Sequence, residues 1–185
     1  IGQGYFLATP LQLAHAAAVI ARQGVGFIPR VLHASEDPGT RLKILEAPRP
    51  SSPVTVKNPR FWDAIIAGMI HVVEGGTAHR IGVGAKYRIA GKTGTAQVFT
   101  LGQNERYDAK RLARHLQDHA LFIAFAPVED PHIAVAVIAE HGGGGSATAA
   151  PLARKVMDAY LLDKYDETIT AGIEPARDVR PDGSE

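Results

Sequence analysis

Cysteine is absent from all 185 residues, which excludes disulfides and thiolate zinc sites and fits any redox compartment. Long hydrophobic runs are also missing: none approaches the roughly 18 residues of a membrane span. The chain opens at Ile1 with no charged-then-apolar leader, so no export signal is in view. An excess of one charge is lacking too, the formal net charge being +1. The densest basic group (Arg106, Lys110, Arg111, Arg114) is interleaved with Asp108 and Asp118. That is the pattern of a solvated helix face rather than a phosphate track, so nucleic acid is not an expected partner. What remains is 45% hydrophobic and 21% charged, ordinary for a globular chain. The length suffices for one sizeable core or for a large piece of a bigger domain.

Thr9-Pro10 marks a helix start, with Thr9 as cap and Pro10 in the first turn. Leu13, Ala14, Ala17, Ala18 and Ala21 follow at helical spacing and predict an interior helix that stops near Gly24. Residues 27–34 read as an irregular strand because of Pro29, and residues 41–46 as its return partner across Asp37-Pro38-Gly39. A proline-rich connection over 47–54 leads to a second helix opened by Asn58-Pro59. Phe61, Ile65, Ile66, Met69, Ile70 and Val73 form its predicted buried stripe, and Gly75-Gly76 its end. Three strands follow, over 87–99, 120–126 and 133–140, the last two forming a hairpin through Pro127-Val128-Glu129-Asp130-Pro131. A polar insert over 100–119, with a short helix near 109–116, separates the first two strands. Gly142 to Gly145 reads as a flexible junction into a last helix over 149–162, buried through Leu152, Val156, Ala159 and Tyr160. Beyond Asp163 apolar content falls and the end is expected to be disordered. The order of elements predicts an α+β fold, an antiparallel sheet packed with helices.

Chemistry concentrates in residues 87–99, YRIAGKTGTAQVF. Gly91-Lys92-Thr93 invites a P-loop reading, but that motif needs a glycine where Lys86 stands and a helix where 95–99 is β-like. The other reading is the lysine-threonine-glycine triad of penicillin-recognising enzymes, on a strand bordering a cleft. Lys92 would supply charge for a substrate carboxylate and for proton transfer, and the Thr93 hydroxyl would donate to the same carboxylate. Gly94 would leave room for a substrate lying along the strand. The backbone N–H of Thr95 would help hold an oxyanion. An exposed lysine, a β-favouring threonine and a bulge glycine in an ordinary strand are the bland alternative. Simple alternation puts Lys92, Gly94 and Ala96 on one face and Thr93, Thr95 and Gln97 on the other. Both groups can border one cleft only if the strand is twisted or lies at a sheet edge.

IGQGYFLATPLQLA, AGKTGTAQVF, DHALFIAFAP and IAVAVIAEHGG, in this order and with these gaps, resemble the class B penicillin-binding proteins. The long insert after Phe99 is similar to that of the elongation-type peptidoglycan DD-transpeptidases, the penicillin-binding protein 2 subgroup. The resemblance covers residues 1–162 as the C-terminal part of a transpeptidase domain, with 163–185 as a tail. It implies the penicillin-binding/serine β-lactamase-like fold and a serine enzyme that cross-links peptidoglycan stem peptides ending in D-Ala-D-Ala and is acylated by β-lactams. It implies no cofactor and no metal. Catalytic roles fall on Lys92, Thr93, Gly94 and Thr95, and substrate contacts on Lys92, Thr93, Thr95 and Gln97. It further implies a location on the periplasmic face of the inner membrane, with a membrane glycosyltransferase as partner. Rival readings are a non-enzymatic β-lactam sensor and a structural docking piece.

One departure from the family pattern is decisive. The family uses serine-x-x-lysine and serine-x-asparagine, but Ser35, Ser51, Ser52, Ser146 and Ser184 have neither lysine three positions on nor asparagine two positions on. The expectation is that these motifs belong upstream of this chain, and that the chain alone is inactive. Other polar residues read as structural. His115 and His119 share helical spacing without a third metal ligand. His119 is expected to make a structural hydrogen bond, and Asp118 to cap or brace the adjoining turn. Gly2-Gln3-Gly4 leads into the first helix, His71 and His79 follow no ligand spacing, and Glu46, Glu74 and Glu140 stand alone.

Overall fold

A reciprocal capping box starts the first helix, as the sequence predicts. Thr9 Oγ1 accepts from the Gln12 amide at 3.2 Å and Gln12 Oε1 accepts from the Thr9 amide at 2.8 Å, satisfying two of the N–H groups a helix end leaves open. The computed structural model describes residues 7–98 and 116–162. The readings of Gly2-Gln3-Gly4, of the insert helix with His115, and of the tail beyond Asp163 lie outside the described residues.

The elements in chain order are α1 (Pro10–Ala21), β1 (Ala34–Glu36), β2 (Lys43–Leu45), α2 (Arg60–Glu74), α3 (His79–Gly82), β3 (Ala90–Ala96), β4 (His119–Ala126), β5 (Ile133–Ala139) and α4 (Ala150–Leu161). A π-helical turn, Gly145–Ala149, leads into α4. β1 and β2 form a small antiparallel hairpin. β3, β4 and β5 form an antiparallel sheet in that order, with Gly94 opposite Leu121 and Thr93 opposite Phe122.

Alternation along β4 divides the core in two. Ala120, Phe122, Ala124 and Ala126 face a cluster completed by Val73, Ile81, Ile89, Ala150, Ala153 and Met157, from α2, α3, the segment before β3, and α4. Phe125 lies on the other side with Ala90 and Met69, against Ile20 and Ala21 of α1. Helices therefore cover both faces of a sheet whose central strand is apolar on both sides. The mixed helix and antiparallel-sheet architecture agrees with the α+β expectation.

Four details depart from the sequence reading. The strand expected at 27–34 reduces to a single bridge between Phe27 and Pro50, with β1 beginning only at Ala34. On α1, Ala17 and Val19 are buried, while the rest of the alanine stripe is only half-covered among the described residues. On α2 the buried residues are Trp62, Met69 and Val73, and Phe61 is 53% exposed. On α4 they are Ala150, Ala153 and Met157, and Val156 is 50% exposed. Ala150, Ala153 and Met157 thus form the face of α4 that meets the core, and Leu152 and Val156 lie outside it.

Candidate active site

β3 is an edge strand, paired only with β4 among the described residues. Its sequence, AGKTGTA, carries little bulk, and what there is alternates. Gly91 has no room for a side chain: a Cβ there would stand 2.5 Å from Phe122 Cζ and 2.9 Å from the Ile123 carbonyl. That tight start anchors β3 on the core side. Lys92 comes next and is exposed, and its Nζ donates to the Thr93 carbonyl at 2.7 Å. Among the described residues no carboxylate pairs with it.

Lys92 stands opposite Ile123, and Thr93 opposite Phe122, so the two side chains leave β3 on opposite faces, as alternation requires. The edge position reconciles this with a shared cleft. Thr93 Oγ1 lies 3.0 Å from Thr77 Oγ1. Thr77 comes from the turn after α2, whose end is shaped by the Gly75 cap. A Cβ on Gly76 would sit 2.8 Å from Val72 Cα, so the chain turns back tightly and delivers Thr77 to β3. Two hydroxyls side by side can share one acceptor, each donating to a different oxygen of a carboxylate. Thr95 and Gln97 are exposed further along.

Gly94 is closely packed. Its missing Cβ would meet Leu121 Cβ at 3.2 Å, and Gly145 lies against its backbone. The face of β3 carrying Gly94 and Ala96 adjoins an apolar recess of about 300 Å³, lined by Leu7, Leu13, Ala96, His119, Leu121 and Ile138 among others.

His119, at the start of β4 beside Ala96, makes the structural hydrogen bond expected of it: its Nδ1 accepts from the His141 amide at 3.0 Å. The His141 ring packs edge-on against it at 4.8 Å. Asp118 is buried; its backbone carbonyl accepts from the Gly143 amide at 2.9 Å, but its side-chain Oδ1, expected to cap or brace the turn, has no partner among the described residues. The segment from Gly142 is thus fastened to β4 rather than a flexible junction.

Of the residues the sequence points to, Lys92, Thr93, Gly94 and Thr95 stand on β3 and Gln97 follows its end. Sequence reasoning missed Thr77 and Gly145. The short EGGT string before Thr77 was the only signal for the first.

Residues 1–158 match the penicillin binding protein transpeptidase domain. The peptidoglycan D,D-transpeptidase MrdA of Haemophilus influenzae is 45% identical over 91% of this chain and 27% of its own length. A structure of Pseudomonas aeruginosa PBP2 in complex with WCK 5153 is 41% identical, with TM-score 0.65, over 89% of this chain and 32% of that one. Penicillin-binding protein A from Mycobacterium tuberculosis, solved as a ceftriaxone acyl-enzyme complex, is 30% identical with TM-score 0.70, over 87% of this chain and 34% of that one. The chain spans 27% of the length of the first of these relatives.

Proposed function

The chain belongs to the penicillin-binding protein transpeptidase family, and from that premise we propose that it supplies one wall of the active site of a peptidoglycan D,D-transpeptidase. The observation that carries this reading is the β3 edge, where an exposed Lys92 and the Thr93–Thr77 hydroxyl pair stand on a strand with an open side. A peptide ending in a carboxylate can lie along such an edge, its charge met by Lys92 and its oxygens by the hydroxyls. The Thr95 amide then serves as an oxyanion donor.

The nucleophile is a serine outside these 185 residues, since none of the five serines here has a lysine three positions on. Its Oγ attacks the penultimate D-alanine carbonyl, and terminal D-alanine leaves as the amine, taking up the proton. The amine of a second stem peptide attacks the resulting ester, forming the cross-link and restoring the serine hydroxyl. β-Lactams acylate the same serine, a reading supported by the acyl-enzyme form of the M. tuberculosis relative. Peptidoglycan synthesis is supported by the relatives' names, and growth that sets cell shape is the role we propose for it. Substrate of this kind lies outside the cytoplasmic membrane, so the working site is the periplasmic face of the inner membrane. A membrane glycosyltransferase that polymerises the glycan strands is the matching partner. No described helix is long and apolar enough to cross a membrane.

The test is the second-order acylation rate of the longer protein carrying this chain, measured with a chromogenic β-lactam. Lys92→Ala removes a charge-assisted bond worth about 1.5–3 kcal/mol, a loss of at least roughly tenfold. Its melting temperature should hold, because Lys92 is exposed. Near-normal acylation in Lys92→Ala would remove β3 from the active site.

A further inference from the structure

Gly143, Gly144 and Gly145 are consecutive glycines that differ in what they require. Gly143 has φ +74°, a conformation that favours glycine, and open space around it. Gly144 has φ −90° and nothing within 4 Å of an added Cβ. Gly145 is buried, and its demand is for space alone. A Cβ there would stand 2.4 Å from the Gly94 carbonyl oxygen, 2.4 Å from the Leu121 carbonyl oxygen and 3.1 Å from the Gly94 nitrogen.

We propose that Gly145 is a positioning residue for the Lys92–Gly94 strand: its bare Cα, seated on the Gly94 and Leu121 backbone, sets where β3 stands at the cleft. The inference rests on the transpeptidase reading for its catalytic consequence. Leu121 is the register partner of Gly94 on β4, and Gly145 sits against the backbone of both, so its seat spans the β3–β4 pair. Gly145 is itself mounted on a fixed block. Thr148 Oγ1 donates to the Gly142 carbonyl at 2.8 Å, the Gly143 amide donates to Asp118 O at 2.9 Å, and the turn continues into α4, seated in the core through Ala150, Ala153 and Met157. The helix thereby fixes the strand's position through a contact that leaves no room for even a methyl group.

The size of the effect follows from the distances. Ordinary contact begins near 3.4 Å, so a methyl on Gly145 is short by about 1 Å from two carbonyls. A misplacement of about 1 Å at a reacting centre costs on the order of a hundredfold. The Thr95 amide, one residue beyond Gly94, is the group whose aim would change.

The experiment uses the longer protein carrying this chain, with Gly144→Ala, Gly145→Ala and Thr148→Val beside the parent. A chromogenic cephalosporin gives the first-order acylation constant and the dissociation constant of the complex before acylation. Hydrogen exchange of the peptide over 90–96 gives the order of β3. Gly144→Ala should match the parent on every measure. Gly145→Ala should lower the acylation constant roughly tenfold to a hundredfold, change the dissociation constant by less than about threefold, and speed exchange in 90–96. Thr148→Val, which only releases the block, should shift both readouts the same way by less. Gly145→Ala acylating within about twofold of the parent, with unchanged exchange in 90–96, would overturn the proposal. If Gly145→Ala does not fold, unchanged acylation and exchange in Thr148→Val overturns it instead. A parent that no β-lactam acylates would sink the transpeptidase reading, and the exchange comparison would still decide whether Gly145 holds the strand.

Discussion

At the scale of single residues, the least expected feature is the hydroxyl of Thr77 beside that of Thr93. Sixteen positions separate them, and only the turn through Gly75 and Gly76 brings them to 3.0 Å. If both hydroxyls serve one carboxylate, removing one leaves a weaker grip rather than none. Thr77→Val in the longer protein should therefore slow acylation by at least roughly tenfold, the worth of one hydrogen bond to a charged group. Its melting temperature should stay close to the parent's because the pair is exposed. Parent-like acylation would show that Thr77 merely neighbours the site. Lys92, Thr93, Gly94 and Thr95 were legible because they are contiguous on one strand, with Gln97 just past its end, and their chemistry is in their names. Thr77 and Gly145 were not, because their roles exist only where distant chain segments meet.

At the scale of elements, a bond network locks α4 to the segment before β3. Tyr87 Oη donates to Asp158 Oδ1 at 2.7 Å, and Arg154 Nε donates to the same oxygen at 2.7 Å. Arg154 also reaches the Ile81 carbonyl and lies over the Tyr87 ring at 5.6 Å. Burial works to raise the Asp158 pKa, yet the bonds from Arg154 and Tyr87 and the nearby positive charges outweigh it, holding the carboxyl below its usual 3.8. Burial pushes the Tyr87 phenol up, and its bond to Asp158 and that carboxylate's charge push it further. The signs fix the pH window. A carboxyl that binds its proton less readily when folded lends stability in full above its unfolded value, and loses it as pH falls through the folded one. A phenol that holds its proton more tightly when folded lends stability below its unfolded value, near 10, and loses it as pH rises. Asp158→Asn keeps the acceptor oxygen but removes the charge. The variant should melt lower than the parent at pH 7, with the gap closing as pH falls below about 4. A gap of constant size between pH 7 and pH 3 would contradict the assignment. The apolar stripe of α4 turned the wrong way at this same scale, and that of α2 only in Phe61 and Ile65, which are exposed, while Met69 and Val73 are buried. Each helix has apolar residues on more than one face, and periodicity cannot say which face the sheet will meet.

At the scale of the whole molecule, β4 is the centre. It is paired on both edges, by β3 and β5, and Phe122, Ala124, Phe125 and Ala126 are fully buried. The β1–β2 hairpin is the opposite case, with Leu42, Ile44 and Leu45 exposed and three residues in each strand. Amide exchange should be slowest over 119–126 and fast over 34–45, since opening the hairpin uncovers almost no further apolar surface. Equal protection in both segments would mean that the hairpin is covered by something else. The sequence alone settled the character of this chain: an antiparallel sheet with helices, a capped first helix, a hairpin from β4 to β5, and a lysine-threonine-glycine strand. These are local matters, decided by turn residues, caps and alternation within a few positions. Tertiary structure alone decided that β3 is the edge strand among the described residues, that Thr77 joins Thr93, that α4 buries the face with Ala150, Ala153 and Met157, and that Gly145 is pressed onto Gly94. Each of those depends on how closely two backbones approach, and that distance is set by side chains far apart in the chain acting at once.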